Sequence, residues 1–208
     1  TGRVGHAYLF TGARGVGKTS TARIFAKALN CVNGLTTAPC GECDICGGIA
    51  AGSDVDVIEI DAASNTGVDN IRELRSNTLY RPARARFKIY IIDEVHMLST
   101  GAFNALLKTL EEPPPHAKFI FATTEIGKVA VPVLSPCQRL DFRRVEAATL
   151  VKHLEGIAAK EKVEAEPPAL ALIARAAEGS VRDSLSLLDQ AIAHAAGPVR
   201  GEDVRQML

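Results

Sequence analysis

The sequence predicts an α/β fold, with a parallel sheet in the first part of the chain and a smaller all-helical unit after it. Three observations support this prediction. Short continuous apolar runs alternate with helical patterns up to about Val145, a glycine-rich phosphate-loop pattern follows the first run, and beyond Val145 only helical patterns remain. Continuous apolar runs are typical of parallel strands that are buried on both faces.

Five apolar runs predict the strands, and with helices on both faces they give a five-stranded parallel sheet. The runs are His6 to Phe10, Val55 to Ile60, Phe87 to Ile92, Lys118 to Ala122 and, with a weaker pattern, Arg139 to Phe142. A helix is predicted from Thr19 to Asn30. Between the third and fourth runs, apolar residues from Phe103 to Leu110 recur at helical spacing, and the prolines that begin at Pro113 end this helix.

The rest of the chain predicts a separate helical unit. Its helices are expected around Ala147 to Lys160, Pro168 to Ala177 and Val181 to Ala195, with another beginning near Glu202. Leu185, Leu188 and Ile192 form one apolar stripe on the third of these. We therefore predict two domains, residues 1–144 and 145–208.

A phosphate-loop pattern, G-x-x-x-x-G-K-[ST], lies between the first strand and the first helix. Its glycines leave room for backbone N–H groups to surround a triphosphate, and the helix N-terminus favours anions. Lys18 adds a positive charge, and the hydroxyl of Thr19 suits a Mg²⁺ ion that bridges the outer phosphates. The predicted contact residues are Gly12, Ala13, Arg14, Gly15, Val16, Gly17, Lys18, Thr19 and Ser20. The structural alternative is a glycine-rich turn ahead of a helix.

Acidic side chains follow the third predicted strand. The strand runs into Asp93 and Glu94 at its carboxyl end, which is where open α/β sheets bind ligands. We assign Asp93 to the metal ion and Glu94 to the attacking water. The fourth strand ends at Thr123 and Thr124, and a threonine hydroxyl there is in a position to reach the γ-phosphate or the water. The alternatives are a strand that ends in solvated acids, and a plain strand end at Thr124.

Four cysteines lie within sixteen residues: Cys31, Cys40, Cys43 and Cys46. Clustered C-x2-C pairs favour metal over disulfides in a chain interpreted as cytoplasmic, and four thiolates complete the tetrahedral coordination of a structural Zn²⁺ ion. We therefore predict a zinc module at 31–46. A redox or disulfide role and unpaired thiols remain the alternatives.

The helical unit holds one further candidate. Ser180 is predicted to cap the helix that begins at Val181. Arg182 lies in the first turn, where its charge opposes the helix dipole, so it is either a solvated arginine or a residue with a role elsewhere. The five histidines are scattered and form no metal-binding or catalytic motif, so no catalytic histidine is assigned.

Composition excludes several classes of protein. Lys plus Arg equals Asp plus Glu at 24 each, so nucleic-acid contact needs a local basic patch or assembly with other subunits. No apolar run reaches the roughly 18 residues of a membrane helix, and the sequence does not begin with a signal-peptide profile. We expect a cytoplasmic protein with no membrane partner.

Taken together, these segments resemble one family, the bacterial DNA polymerase III gamma/tau subunit, which is the AAA+ motor of the sliding-clamp loader. The segments that carry the resemblance are Gly12 to Thr19, the four cysteines, Glu59 to Ser64, Asp93 to Leu98, Asn104 to Pro113 and Gly179 to Ala191. The cysteine insertion after the phosphate-loop helix is specific to these subunits among close relatives.

The resemblance implies a P-loop NTPase fold of the AAA+ class with a helical lid, and an ATPase that uses ATP, Mg²⁺ and structural Zn²⁺. It makes Asp93 the Walker B metal ligand and Glu94 the catalytic base, Thr124 the sensor 1 residue, and Arg182 the sensor 2 residue that reaches the γ-phosphate. The implied partners are other clamp-loader subunits, the sliding clamp and primer-template DNA. Such a subunit belongs to a DNA-directed DNA polymerase holoenzyme, a nucleotidyltransferase, but carries no polymerase active site.

Two departures from the family pattern matter. The family has Ser-Arg-Cys where this chain has Ser135-Pro136-Cys137, and that arginine acts in the neighbouring subunit's ATP site. An ATP-binding scaffold with little turnover is therefore the main alternative, and a nucleotide kinase is a weaker one because no acceptor site is visible. The family also has a segment before the position of Thr1 and a collar domain after that of Leu208, so we expect this stretch to be monomeric and to bind nucleotide weakly.

Overall fold

Five strands form a single sheet in the computed structural model. They are β1 (Ala7–Gly12), β2 (Val57–Asp61), β3 (Lys88–Asp93), β4 (Ala117–Thr123) and β5 (Gln138–Phe142), in the order β2-β3-β4-β1-β5. The pairs β1 with β4, β2 with β3, and β3 with β4 are parallel. Each strand overlaps one of the five predicted runs, so the predicted sheet is confirmed.

Helices cover both faces of this sheet, as predicted. The helices of this part of the chain are α1 (Lys18–Asn30), α2 (Asp44–Ala51), α3 (Val68–Thr78), α4 (Thr100–Glu111) and α5 (Val131–Leu134). On one face, Phe25 of α1 packs edge-on against Tyr8 of β1, with ring centroids 4.7 Å apart. The next residue of β1, Leu9, points to the other face, where it belongs to a core shared with α3, α4 and α5.

Three helices of this region were not predicted: α2, α3 and α5, which has only four residues. The helix α2 has only eight residues and contains two adjacent glycines, which disfavour a helix. It begins where the side chain of Cys43 accepts a hydrogen bond from the N–H of Cys46. The helix α3 is mostly polar and buries few of its residues, among them Ile71 and Leu74.

A second group of helices follows the sheet. It comprises α6 (Ala147–Lys160), α7 (Pro167–Ala176), α8 (Val181–His194) and α9 (Gly201–Met207). Their shared core contains Leu154, Ile173, Leu188 and Val204. The boundaries of α6, α7 and α8 agree with the predicted helices within one residue at either end. Leu188 of the predicted stripe is buried, and Leu185 and Ile192 are partly exposed and pack against the shared core.

The structure describes residues 4–64, 67–195 and 197–208. Their contacts divide the chain into two compact units: one runs up to Thr11 and from Lys18 to Asp141, and the other comprises Gly12–Gly17 and Phe142–Leu208. The predicted domain limits after residue 144 stay a prediction, and the first three residues of the predicted 1–144 domain lie outside the described residues. Among the helices described, none has the length and apolar character needed to cross a bilayer.

Candidate functional site

The carboxyl ends of strands β3 and β4 lie side by side, and the start of helix α1 meets them. Residue Ile92 of β3 is paired with Phe121 of β4, and Thr11 of β1 with Thr123 of β4. The polar residues that follow these strands therefore lie at one edge of the sheet. This is the edge at which the sequence predicts the phosphate-binding site.

Helix α1 brings a hydroxyl and an ammonium group to this edge. The Oγ1 of Thr19 donates a hydrogen bond of 2.5 Å to Oδ2 of Asp93. The side chain of Lys18 is buried, and it interacts electrostatically with Glu94 and Asp93. Burial lowers the pKa of Lys18, and the two carboxylates partly oppose that change. The structure thus places the predicted lysine, threonine and acidic pair around one small volume.

Glu94 is fixed in an unusual backbone conformation. Its φ of 48° and ψ of 44° lie in the left-handed region, which is uncommon for residues other than glycine. Its Oε2 atom accepts hydrogen bonds from Oγ1 of Thr124 at 2.9 Å and from the backbone N–H of Thr124 at 3.3 Å. The predicted base and the predicted sensor threonine are therefore in direct contact.

The side chain of His96 also lies at this edge. Its Nδ1 is 2.9 Å from Oγ1 of Thr123 and 3.3 Å from Oε2 of Glu94. Its Nε2 is 3.5 Å from Oε1 of Glu125. His96 was not predicted as a site residue, because it lies in no metal-binding or catalytic histidine motif. The usable signal was its position two residues after Glu94.

The phosphate loop has the backbone geometry that its glycines allow. Gly15 has a φ of 75° and Gly17 a φ of 93°, values that a side chain would strain. The carbonyl of Gly15 accepts hydrogen bonds from the N–H groups of Val181 and Arg182, at 2.9 and 3.3 Å. The loop from Gly12 to Gly17 and the start of α8 therefore belong to the same compact unit.

Arg182 lies in the first turn of α8, where the sequence places it. The predicted cap of this helix is confirmed, because Oγ of Ser180 accepts a hydrogen bond of 3.1 Å from the N–H of Asp183. The role of Arg182 toward a phosphate stays a prediction.

The four clustered cysteines come together in space. The Sγ atoms of Cys31, Cys40, Cys43 and Cys46 all lie within 4.8 Å of one another. The Cys31 and Cys40 atoms are 3.6 Å apart, and those of Cys40 and Cys46 are 4.0 Å apart. Zinc–sulfur bonds of about 2.3 Å in a tetrahedron place sulfurs about 3.8 Å apart, so the cluster fits a Zn²⁺ ion.

The thiols of this cluster differ in acidity. Hydrogen bonds from the backbone N–H groups of Val32 and Cys46 lower the pKa of Cys43 to about 6. Burial raises the pKa of Cys46 to about 12. A bound cation must therefore displace a tightly held proton from Cys46.

Comparison with known families accounts for almost the whole chain. The family model described as DNA polymerase III, delta subunit matches residues 1–146. The model described as DNA polymerase III clamp loader subunit, ATPase lid domain matches residues 149–197. Alignment of the whole of this chain with curated proteins identifies the subunit type, because the chain is 56% identical over 207 residues to the tau subunit of Escherichia coli strain K12. The chain belongs to the DNA polymerase III gamma/tau family.

Other gamma/tau relatives are similarly close. The chain is 54% identical over 198 residues to the tau subunit of Bacillus subtilis strain 168, which covers 95% of this chain. It is 47% identical over 207 residues to the gamma subunit of Buchnera aphidicola from Acyrthosiphon pisum. The chain spans 32% of the Escherichia coli protein, 35% of the Bacillus protein and 57% of the Buchnera protein.

Solved structures show the same fold in a more distant group. The RuvB Holliday junction branch migration motor of Thermotoga maritima superposes with a TM-score of 0.68 at 18% identity, covering 97% of this chain and 60% of that one. At this identity the similarity concerns the fold alone. The gamma/tau chain therefore has the AAA+ fold with a lid domain that the resemblance implies.

Proposed function

We propose that the chain is the ATP-binding and hydrolysing motor of a bacterial clamp loader. The observation that carries this proposal is the contact of Thr19 with Asp93 at 2.5 Å, beside Lys18 and Glu94. A lysine, a hydroxyl and two carboxylates at a phosphate loop are the groups that nucleotide hydrolysis requires. The family supports the same conclusion, because one matched model is described as an ATPase lid domain.

In this proposal the loop from Gly12 to Gly17 and the start of α1 bind the ATP phosphates, with Lys18 neutralising the outer ones. The oxygens of Thr19 and Asp93 are hard ligands that suit Mg²⁺, which would stabilise negative charge on the phosphates. The water oxygen attacks the γ-phosphorus, the bond from that phosphorus to the β–γ bridging oxygen breaks, and ADP leaves with the electron pair. Glu94 accepts the proton of the water.

Two residues would report the state of the γ-phosphate. Thr124 donates to Glu94 in the structure, so a nearby phosphate oxygen would compete for its hydroxyl. Arg182 would act from the lid, as the family resemblance implies. A ligand changes a conformational equilibrium only through contacts that differ between states, and losing the γ-phosphate removes both of these contacts.

The four cysteines would hold a structural Zn²⁺ ion that fixes the segment between α1 and α2. Four protein ligands leave no open position for a substrate, so no catalytic step is assigned to this ion.

The partners proposed for the full-length protein are other clamp-loader subunits, the sliding clamp and primer-template DNA. Nucleotidyl transfer in the DNA-directed DNA polymerase holoenzyme would belong to other subunits. We propose a cytoplasmic location, because the relatives named above are replication proteins of bacteria.

One observation favours a second candidate, an ATP-binding scaffold with little turnover. Pro136 lies in the turn between α5 and β5 and carries no charge. In the family resemblance this position holds the arginine that activates the neighbouring ATP site, and such arginines contribute about 10³- to 10⁵-fold in related hydrolases.

ATP turnover by the full-length protein, reconstituted with clamp-loader partners, clamp and primed DNA, separates the two candidates. The motor proposal expects turnover that rises when clamp and DNA are added and falls at least about 10²-fold in Glu94→Gln. Turnover equal to that of Glu94→Gln supports the scaffold. The rate of ATP turnover in Pro136→Arg then measures how much the proline lowers that rate.

A further inference from the structure

The ring of His96 lies between two carboxylates at neighbouring strand ends. His96 comes shortly after β3 in the chain, and its side chain is only 5% exposed. Its Nδ1 atom lies 3.3 Å from Oε2 of Glu94, and its Nε2 atom lies 3.5 Å from Oε1 of Glu125. A histidine that ended in solvent would have no such neighbours. The ring therefore connects Glu94, the proposed catalytic base, to Glu125, which follows Thr124 in the chain.

Thr123 fixes the orientation of this ring. Its hydroxyl is fully buried at the end of β4 and lies 2.9 Å from Nδ1. The same oxygen accepts the backbone N–H of Glu125 at 3.0 Å, which holds the hydroxyl in place. The Nδ1 edge is thus anchored to the sheet and not only to Glu94.

Glu125 holds the opposite edge of the ring. Its carboxylate forms a 2.6 Å ion pair with Lys128, and the hydrogen bond from Lys128 lowers the pKa of Glu125. The Nε2 side of His96 therefore faces the carboxylate of Glu125, which Lys128 keeps in position.

The contacts of Glu94 described above all fall on one oxygen. The hydroxyl and N–H of Thr124 and the Nδ1 atom of His96 lie at 2.9, 3.3 and 3.3 Å from Oε2. A glutamate side chain has three rotatable bonds, so one anchor leaves the carboxylate free to turn. Groups from the segments that follow β3 and β4 meet the same oxygen and so fix the plane of the carboxylate.

We propose that His96 is a positioning residue for ATP hydrolysis: it holds Oε2 of Glu94 beside Thr124, so that Oε1 is the oxygen that accepts the proton of the water. This inference rests on the proposed function. It assigns His96 no contact with ATP, so its loss should change kcat and leave ATP affinity unchanged.

Three substitutions in the full-length protein separate positioning from packing. His96→Ala removes the contacts with Glu94, Thr123 and Glu125, and should lower kcat about 10- to 10²-fold, with the Kd for ATP within threefold of wild type. His96→Asn places its amide near Nδ1 and should recover most of the lost rate. His96→Gln places its amide near Nε2, toward Glu125, and should remain as slow as His96→Ala.

A double substitution tests whether His96 acts through Glu94. In a Glu94→Gln background, His96→Ala should change the residual rate less than twofold, because residues that act as a unit are non-additive. If the two effects multiply, or if Asn and Gln rescue equally, His96 is a packing residue and the inference is wrong. An unchanged kcat in His96→Ala overturns it directly.

The proposed function fails in a different way. If Glu94→Gln alone leaves ATP turnover unchanged, the error lies in the assignment of Glu94, and the positioning role falls with it. If Glu94→Gln is inactive and His96→Ala is as fast as wild type, only the inference on His96 fails.

Discussion

At the scale of single residues, the site is defined by how Glu94 is held. A strained backbone and two hydrogen bonds from Thr124 determine where its carboxylate lies. Such strain persists only where surrounding contacts over-determine a conformation. We therefore expect changes to the partners of Glu94 to affect rate far more than stability.

Thr124→Val tests this expectation. The change removes the hydroxyl that donates to Glu94 at 2.9 Å but keeps the volume and the backbone N–H. We expect kcat for ATP hydrolysis to fall about 10²-fold, as for the loss of one preorganised donor, with ATP affinity within a few-fold of wild type. Steady-state kinetics and equilibrium ATP binding measure the two effects.

Thr109→Val is the matched control, because the hydroxyl of Thr109 is buried on α4 and finds no hydrogen-bond partner within the described part of the chain. Its kcat should equal that of wild type. An equal loss of rate in both variants would mean that Thr124 contributes by packing.

The sequence predicted the chemical types at this site but not their contacts. Lys18, Thr19, Asp93 and Glu94 are recognisable because a phosphate loop and a strand-end acid pair have fixed spacing. His96 and Thr123 are not, because the contact between them depends on the pairing of β3 with β4, which spacing along the chain does not encode.

At the scale of elements, the sheet was predictable and some connecting helices were not. The strands are continuous apolar runs, so composition alone marks them. The helix α2 forms because of its position beside the cysteine cluster. Its two glycines have low helix propensity, so the sequence pattern does not indicate a helix there. The helix α3 buries too few residues to produce a clear periodic pattern.

The cysteine cluster should hold one zinc ion per chain. Zinc binding must displace the proton of Cys46, whose pKa is about 12, and acid also protonates Cys43 below about pH 6, so affinity should fall as pH falls. Metal analysis across a pH series measures this dependence. Cys40→Ser should lose the metal and Cys137→Ser should keep it, whereas equal zinc content in both would place the ion elsewhere.

A buried carboxylate fixes the segment before β3. Asp56 is 1% exposed and accepts hydrogen bonds from the backbone N–H groups of Ala83, Arg84 and Ala85, at 2.7 to 2.8 Å. Asp56→Ala leaves these donors without a partner, so we expect the free energy of unfolding to fall by about 2–4 kcal/mol in urea denaturation. Asp69→Ala, at an exposed ion pair on α3, should cost under about 0.5 kcal/mol.

The contribution of Asp56 should also depend on pH. Burial raises the pKa of Asp56, but the three N–H donors outweigh it, so the pKa is lowered overall. A lowered pKa in the folded state stabilises the protein fully above the unfolded value of about 3.9, and this stabilisation is lost as the pH falls further. If Asp56→Ala were as stable as wild type at pH 7, the carboxylate would not be a structural anchor.

At the scale of the whole molecule, each unit has its own apolar core. Leu106 lies fully buried under the sheet, and Leu154 lies fully buried among the helices of the other unit. Either leucine changed to alanine should cost about 2–5 kcal/mol. We expect hydrogen exchange to increase mainly in the unit that carries the substitution. Equal loss of protection throughout the chain in both variants would mean that the units unfold as one.

The net charge also belongs to this scale. Basic and acidic side chains balance at 24 each, so overall charge gives no attraction to DNA. Under the proposed function, DNA contact has to come from local basic groups in the assembled complex. The family could be recognised from the sequence because its motifs span the whole chain, and 56% identity to a tau subunit along the whole of this chain confirmed it.

The central claim is that the phosphate loop and the acidic pair act on one terminal phosphate. The most direct measurement is a crystal structure of the full-length protein with a non-hydrolysable ATP analogue and Mn²⁺, located by its anomalous scattering. We predict a Mn²⁺ peak next to the hydroxyl of Thr19 and the carboxylate of Asp93, with the γ-phosphate beside Lys18. A nucleotide bound away from this edge of the sheet, or a Mn²⁺ ion that Asp93 holds neither directly nor through a water molecule, would contradict the account.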